Sequence, residues 1–150
     1  MIQMKNVYKK YPNGVVATNG ISVDIKQGEF VYVVGPSGAG KSTFIKLMYR
    51  EEKATSGEVI VNGINLTTIR NNAVPKFRRQ LGVVFQDFKL LPRLTVYENV
   101  AFALEVIEES PKIIRKRVMD VLELVGLSHK ARMFPNELSG GEQQRVSIAR

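Results

Sequence analysis

A glycine-rich segment, residues 35–43, contains the residue types needed to bind a nucleoside triphosphate. It reads Gly-Pro-Ser-Gly-Ala-Gly-Lys-Ser-Thr. Its glycines can adopt backbone angles that other residues avoid, so successive N–H groups can surround phosphate oxygens. A helix beginning near Lys41 would add the positive end of its dipole. We therefore predict a phosphate-binding loop in which Lys41 contacts the β- and γ-phosphates and Ser42 is a ligand of Mg²⁺.

The residues on either side of this segment favour the same interpretation. Residues 30–34 are apolar and rich in β-branched side chains, which is typical of a buried strand, and residues 43–49 have the pattern of a helix. A strand, a glycine loop and a helix, in that order, are the context that the motif requires. The predicted nucleotide-binding residues of the loop are Gly35, Pro36, Ser37, Gly38, Ala39, Gly40, Lys41, Ser42 and Thr43.

Length and composition are those of a globular protein. The 150 residues suffice for one domain with a hydrophobic core, and 44% of them are hydrophobic. No apolar run approaches the ~20 residues of a membrane span, and the first residues do not resemble a signal peptide. The chain has no cysteine, which excludes disulfides and thiolate metal sites and fits a reducing cytoplasm.

The net charge of +8 at pH 7 could indicate nucleic acid, an anionic membrane face or a ligand with several phosphates. The basic residues are scattered along the chain, and no aromatic residues alternate with them as a platform for single strands requires. We expect a solvated basic surface near a membrane and no nucleic-acid partner.

The pattern of the remaining chain predicts an α/β fold. Alternating residues at 2–7 and 21–25 predict antiparallel strands before the loop, and residues 58–63 predict a further hairpin. Residues 81–85 are a second candidate for a buried strand, parallel to the first. Helical spacing follows at 96–107 and at 111–125, where a proline suits the first turn and Gly126 the end.

A second motif, Leu-Ser-Gly-Gly-Glu-Gln-Gln-Arg, occupies residues 138–145. Ser139 is a suitable N-cap for a helix, and Gly140 and Gly141 would let backbone N–H groups approach an anion. The motif therefore predicts a second anion-binding helix start about a hundred residues after the first.

Together these residues resemble the nucleotide-binding subunits of ATP-binding-cassette (ABC) systems, and within them most closely the subunits that act in bacterial cell division. The segments that carry the closer resemblance are residues 32–40, 82–92 and 94–100. The resemblance implies a single, partial nucleotide-binding domain of the P-loop ABC-cassette fold. Its αβ core would cover about 1–86 and 138–150, and a helical subdomain about 87–137.

The resemblance also implies roles for individual residues. Tyr11 would stack on adenine, with Tyr8 as the alternative, and Gln86 would reach Mg²⁺ or water from the loop that faces a membrane partner. Lys41 and Gln86 are thus the expected catalytic residues, and Ser42 and Gln86 the expected metal ligands. The residues expected to contact the ATP bound by a second subunit are Ser139, Gly140, Gly141 and Gln143.

The partners implied are a second copy, arranged head to tail with two ATP molecules between the copies, and the integral membrane protein FtsX. The expected location is the cytoplasmic face of the cell membrane, where hydrolysis would drive the two copies apart.

The alternative functions are the ATPase subunit of an exporter or lipoprotein-releasing system, and a nucleotide-binding module that does not hydrolyse ATP. The candidates for the groove that receives the membrane partner are Phe88, Leu90, Leu91 and Leu94.

The resemblance also includes an acidic strand and a histidine beyond the second motif, and these do not occur in the 150 residues. His129 does not match that histidine, and neither Glu137 nor Glu142 replaces the acidic residues. The expectation from the sequence is a truncated cassette that binds ATP and hydrolyses it very poorly alone.

Overall fold

The computed structural model describes residues 1–150 and contains two compact units, Met1–Gly82 and Val83–Arg150. The first contains a sheet and two helices, and the second contains three longer helices joined by short turns. No helix of either unit has the length and apolar character that a membrane span requires. The division of the chain into an αβ core and a helical subdomain at residues 87–137 stays a prediction.

The sheet of the first unit has four strands in the order β2-β1-β3-β4, and every neighbouring pair is antiparallel. The strands are β1 (Ile2–Lys10), β2 (Val16–Ile25), β3 (Ser56–Val61) and β4 (Ile64–Asn65). The predicted N-terminal strands and the later hairpin are therefore confirmed. Their alternating pattern places Met4 and Val59 in the core, where both are almost fully buried.

Two helices pack with this sheet, α1 (Lys41–Met48) and the short α2 (Val74–Arg78). Phe44 and Leu47 of α1 are three residues apart, so they lie on one helix face, and both are buried. The predicted helix after the glycine loop is confirmed. The buried cluster of this unit comprises Met4, Val7, Phe44, Leu47, Val59, Val61, Leu66 and Phe77.

The two segments predicted as parallel core strands form no strand ladder in this structure. Residues 30–34 and 81–85 do not belong to the sheet, and Phe30 and Val34 are 81% and 85% exposed. The apolar, β-branched pattern is a local preference, whereas a strand exists only when a neighbour supplies its hydrogen-bonding partners. The predicted parallel core strands are therefore not found, whereas the antiparallel portion and the helices of the predicted α/β fold are.

The second unit is built from α3 (Val96–Val106), α4 (Pro111–Leu124) and α5 (Gly140–Ala149). The two predicted helices at 96–107 and 111–125 are confirmed, with a proline in the first turn of α4 and Gly126 left-handed after its end. On α4, Ile114, Val118 and Leu122 recur every four residues and face the core. The buried cluster comprises Val96, Val100, Ala101, Ile114, Val118, Leu122, Leu127, Leu138 and Val146.

A buried asparagine holds the segment that precedes α3. Asn99 is fully buried, and its amide donates hydrogen bonds to the carbonyls of Leu91, Leu94 and Thr95, at 3.1, 2.9 and 3.0 Å. Its side-chain oxygen accepts a hydrogen bond from the Leu91 N–H at 2.8 Å. Because a buried amide must be satisfied, Asn99 fixes the path of residues 91–95.

The backbone has an unusual conformation at Phe88 and Lys89, where φ is 55° and 51°. These are two consecutive left-handed residues, neither of them glycine, and each such residue costs about 1–3 kcal/mol. The guanidinium of Arg150 donates hydrogen bonds to the carbonyls of Lys89 at 2.6 Å and Phe88 at 3.4 Å. Arg150 therefore supports a strained turn immediately after Gln86.

Candidate nucleotide site

The glycine loop folds around the side chain of its own lysine. The ammonium of Lys41 donates hydrogen bonds to the carbonyl oxygens of Gly35 and Pro36, both at 2.7 Å. Gly38 and Gly40 have φ values of 79° and 85°, the left-handed region that glycine adopts readily. The lysine ammonium is therefore held against the first two residues of the loop, and its side chain is only partly buried.

Gly40 is required by packing as well as by backbone angle. A Cβ added at this position would lie 2.0 Å from the carbonyl oxygen of Ala17 on β2. No side chain can be accommodated at that distance. The loop is thus held against the sheet at the residue that precedes α1.

The N-terminus of α1 lacks a side-chain cap. Gly40 occupies the N-cap position and offers no side chain, and the first turn contains no acidic residue. By contrast, α3 and α5 both begin with complete capping boxes, at Thr95 and Ser139. The first N–H groups of α1, together with the helix dipole, are therefore suited to an anion from outside the chain.

Tyr11 lies beside this helix. Its hydroxyl is 3.1 Å from the hydroxyl of Thr43, in the first turn of α1. Tyr8, the alternative, packs instead over Gly20, where an added Cβ would lie 2.8 Å from the Tyr8 hydroxyl. Of the two tyrosines, Tyr11 is therefore the one in contact with the helix that follows the glycine loop.

Sequence reasoning missed two residues that surround Tyr11. The ammonium of Lys9 lies over the Tyr11 ring, 4.9 Å from its centroid, and it forms an ion pair with Glu52 at 2.7 Å. The spacing of Lys9 and Tyr11, two residues apart at the end of a strand, could have predicted that both point to the same face. No comparable signal indicates Glu52, which is distant in sequence.

The second motif begins α5 through reciprocal hydrogen bonds. The Ser139 N–H donates to the Glu142 carboxylate at 2.9 Å, and the Glu142 N–H donates to the Ser139 hydroxyl at 3.4 Å. The Lys130 ammonium, 2.6 Å from the same carboxylate, and the hydrogen bonds from Ser139 lower the pKa of Glu142 to about 2. Sequence reasoning missed this role of Glu142, although a serine followed three residues later by glutamate predicts a capping box.

The other predicted residues of the motif differ in the contacts that they make within this chain. Gly140 and Gly141 have ordinary helical backbone, they are exposed, and a Cβ at either position would meet nothing within 4 Å. The Gln143 side chain donates to the Leu138 carbonyl at 3.2 Å. Neither the fold nor the packing of this chain thus requires glycine at 140 or 141.

Gln86 lies in the second unit, in an exposed turn before the strained residues. Ser42 is exposed in the first turn of α1 and offers a hydroxyl, which is a suitable hard oxygen ligand for Mg²⁺. No group of three or more His, Cys, Asp or Glu side chains is placed to hold a metal ion. The structure therefore brings together the loop, Ser42, Thr43 and Tyr11 in the first unit, whereas Gln86 and residues 139–143 belong to the second.

The fold and this arrangement define the class of protein. A family model described as ABC transporter matches residues 18–150, and the chain belongs to that family. The structure is also similar to a solved dimeric ATP-binding cassette in a post-hydrolysis state, bound to ADP and Pi. The TM-score is 0.90 at 40% sequence identity, over 99% of this chain and 68% of that one. The predicted fold class is thus confirmed.

Within the family the chain is highly similar to cell-division proteins. It is 71% identical to the cell division ATP-binding protein FtsE of Bacillus subtilis (strain 168), over all of this chain and 66% of the relative. It is 46% identical to the methionine import ATP-binding protein MetN of Helicobacter acinonychis (strain Sheeba), over 46% of that relative. The chain therefore spans slightly less than two thirds of the FtsE relative, and the predicted resemblance to cell-division cassettes is confirmed.

Proposed function

We propose that this chain is the nucleotide-binding part of an ATP-hydrolysing ABC subunit that acts in bacterial cell division. The observation that carries the proposal is the position of Lys41. Its ammonium is held over the loop by two carbonyl oxygens, and those oxygens are weaker acceptors than the charged oxygens of a phosphate. A triphosphate entering the loop therefore gains the lysine's hydrogen bonds at little cost.

Three further features of the first unit support ATP as the ligand. The uncapped N-terminus of α1 provides N–H donors for phosphate oxygens. The Tyr11 hydroxyl contacts Thr43 in the first turn of the same helix, and we propose that the Tyr11 ring stacks on the adenine. Ser42 would hold Mg²⁺, which supplies positive charge to the β- and γ-phosphates when bound.

The two exposed glycines of the second motif support a dimer joined by nucleotide. We propose that Ser139, Gly140, Gly141 and Gln143 approach the γ-phosphate of ATP held by a second copy, in a head-to-tail arrangement. Glycine at 140 and 141 has no explanation within this chain, and the absence of side chains there suits a close approach from outside. The similar solved cassette is itself a dimer.

The proposed membrane partner is FtsX, and the proposed location is the cytoplasmic face of the cell membrane. This rests on the 71% identity to the FtsE of Bacillus subtilis. The same similarity favours cell division over transport, because the methionine importer is less similar and a smaller part of it is covered. Gln86 would reach Mg²⁺ or water, and the loop that follows it, with the strained residues Phe88 and Lys89, would face the membrane partner.

A charge-matched pair of variants tests the proposal in the full chain. Lys41→Met should abolish ATP binding and phosphate release, measured together by calorimetry and a phosphate assay. Lys76→Met is the control, since it removes the same charge from an exposed position on α2. Equal ATP affinity in the two variants contradicts the nucleotide site. Co-purification with a permease in place of FtsX contradicts the cell-division role and favours transport.

A further inference from the structure

Tyr11 is fixed by contacts at both its backbone and its side chain. Its N–H donates to the carbonyl of Val15 at 2.8 Å, across the turn between β1 and β2. Its hydroxyl meets that of Thr43 at 3.1 Å. The tyrosine therefore connects the hairpin turn to the N-terminal turn of α1.

Lys9 covers one face of the Tyr11 ring. Its ammonium lies 4.9 Å from the ring centroid, pairs with Glu52 at 2.7 Å and donates to the Lys53 carbonyl at 3.0 Å. A carboxylate, a carbonyl and an aromatic face thus surround the three ammonium hydrogens. The side chains of Lys9 and Glu52 are only 13% and 25% exposed, so water screens their ion pair less than it screens a surface pair.

Glu52 is itself positioned by the C-terminal end of α1. The backbone turns at Arg50, where φ is 61°, and the Glu52 N–H then donates to the Lys46 carbonyl at 3.2 Å. Tyr11 is therefore contacted from the first turn of α1 directly, and from the segment just after α1 through Lys9. Thr43 contacts its hydroxyl, and Glu52 holds the lysine that covers its ring.

We propose that Lys9, held by Glu52, is a positioning residue that fixes the Tyr11 ring for stacking on the base of ATP. This inference rests on the proposed function. The lysine occupies one ring face, so the base stacks on the other. Attraction between the ammonium and the ring also restricts the tilt of the ring, which reduces the ordering cost of stacking. The effect concerns the base and does not extend to the phosphates.

The test compares two ligands, ATP and inorganic triphosphate, each with Mg²⁺, by calorimetry on the full chain. Lys9→Met should weaken ATP binding about threefold to tenfold, from the size of a partly desolvated cation–π contact, and leave triphosphate binding unchanged. Glu52→Gln should have a smaller effect of the same kind. Lys9→Arg should restore ATP affinity to within about twofold, because a guanidinium can occupy the same ring face.

Lys10→Met is the matched control, since it removes an adjacent exposed charge from the same strand. It should leave the ratio of ATP to triphosphate affinity unchanged. Equal weakening of both ligands by Lys9→Met, or no weakening of ATP, overturns the inference while the proposed function stands. Failure of the unmodified chain to bind ATP at all overturns the proposed function, and the inference with it.

Discussion

Lys130 and Glu142 form an ion pair of 2.6 Å that joins the turn after α4 to the first turn of α5. The same carboxylate accepts hydrogen bonds from Ser139, so one glutamate both caps the helix and anchors it to a neighbouring segment. The second motif is therefore held in shape by this chain alone, before any nucleotide or second copy contacts it.

This arrangement predicts a pH dependence of stability. The pKa of Glu142 is lowered from 4.5 to about 2, so its stabilising contribution is complete above about pH 4.5 and is lost as the pH falls towards 2. Glu142→Gln should be less stable than the parent protein at about pH 6, and this difference should shrink at about pH 2.5. Urea unfolding at the two pH values measures it.

Glu105→Gln serves as the control for this pH experiment, because Glu105 is exposed on α3 and forms no ion pair. It should change the unfolding free energy little at either pH. A stability difference for Glu142→Gln that is the same at both pH values would contradict the role of the ion pair.

Gly40→Ala should be far more destabilising than its backbone angle alone explains. Gly40 and Gly28 have nearly the same φ, 85° and 84°. Of these two positions, an added Cβ would overlap another atom only at Gly40, where it would lie 2.0 Å from the Ala17 carbonyl oxygen. We expect about 1–2 kcal/mol for Gly28→Ala, from left-handed strain. For Gly40→Ala we expect ~3 kcal/mol or more, because strain and overlap combine. Urea unfolding of the two variants compares them, and similar losses would show that the loop can move away from β2.

Asn99→Leu should both destabilise the second unit and release residues 91–95. The loss should be about 2–4 kcal/mol, because the Leu91 N–H and three carbonyls lose a buried partner. Hydrogen exchange at the Leu91 amide should also be faster in Asn99→Leu than in the parent protein. Unchanged exchange in Asn99→Leu would contradict the role of Asn99 in holding residues 91–95.

Gly141→Ala should weaken dimerisation without destabilising the fold. A Cβ at this position meets nothing within 4 Å, and alanine is the better helix former by about 1 kcal/mol, so the fold should be as stable or more stable. ATP-dependent dimerisation should weaken, because the added methyl group lies where we propose the γ-phosphate approaches. Analytical ultracentrifugation with and without ATP measures the dimer, and Gln144→Ala, an exposed position on the same helix, is the control.

The sequence predicted the elements whose signals are local. The alternation at residues 2–7, the proline that begins α4 and the glycine that ends it all act over a few residues, and each is found in the structure. The helix after the glycine loop was predicted from signals of the same kind, and the binding of phosphate by that loop stays a prediction. Residues 30–34 formed no ladder because a strand needs a partner that local sequence cannot provide.

The contacts that the sequence could not predict are those between distant residues. Glu52 reaches Lys9 across more than forty positions, and Arg150 reaches Lys89 across sixty-one. The sequence separation of neither pair distinguishes it from the many other possible contacts between acids, bases and carbonyls on the surface. Only the folded chain identifies Glu52 as part of the surroundings of Tyr11.

The turn at Phe88 and Lys89 has an energetic consequence for whatever moves it. Two left-handed residues raise the free energy of the resting turn by about 1–3 kcal/mol each, and hydrogen bonds from a single guanidinium oppose its relaxation. A turn that starts high in energy needs a smaller input to reach another conformation than a relaxed one does. The conformation of the segment after Gln86 is therefore sensitive to a single residue, Arg150, whose two hydrogen bonds hold the strained backbone.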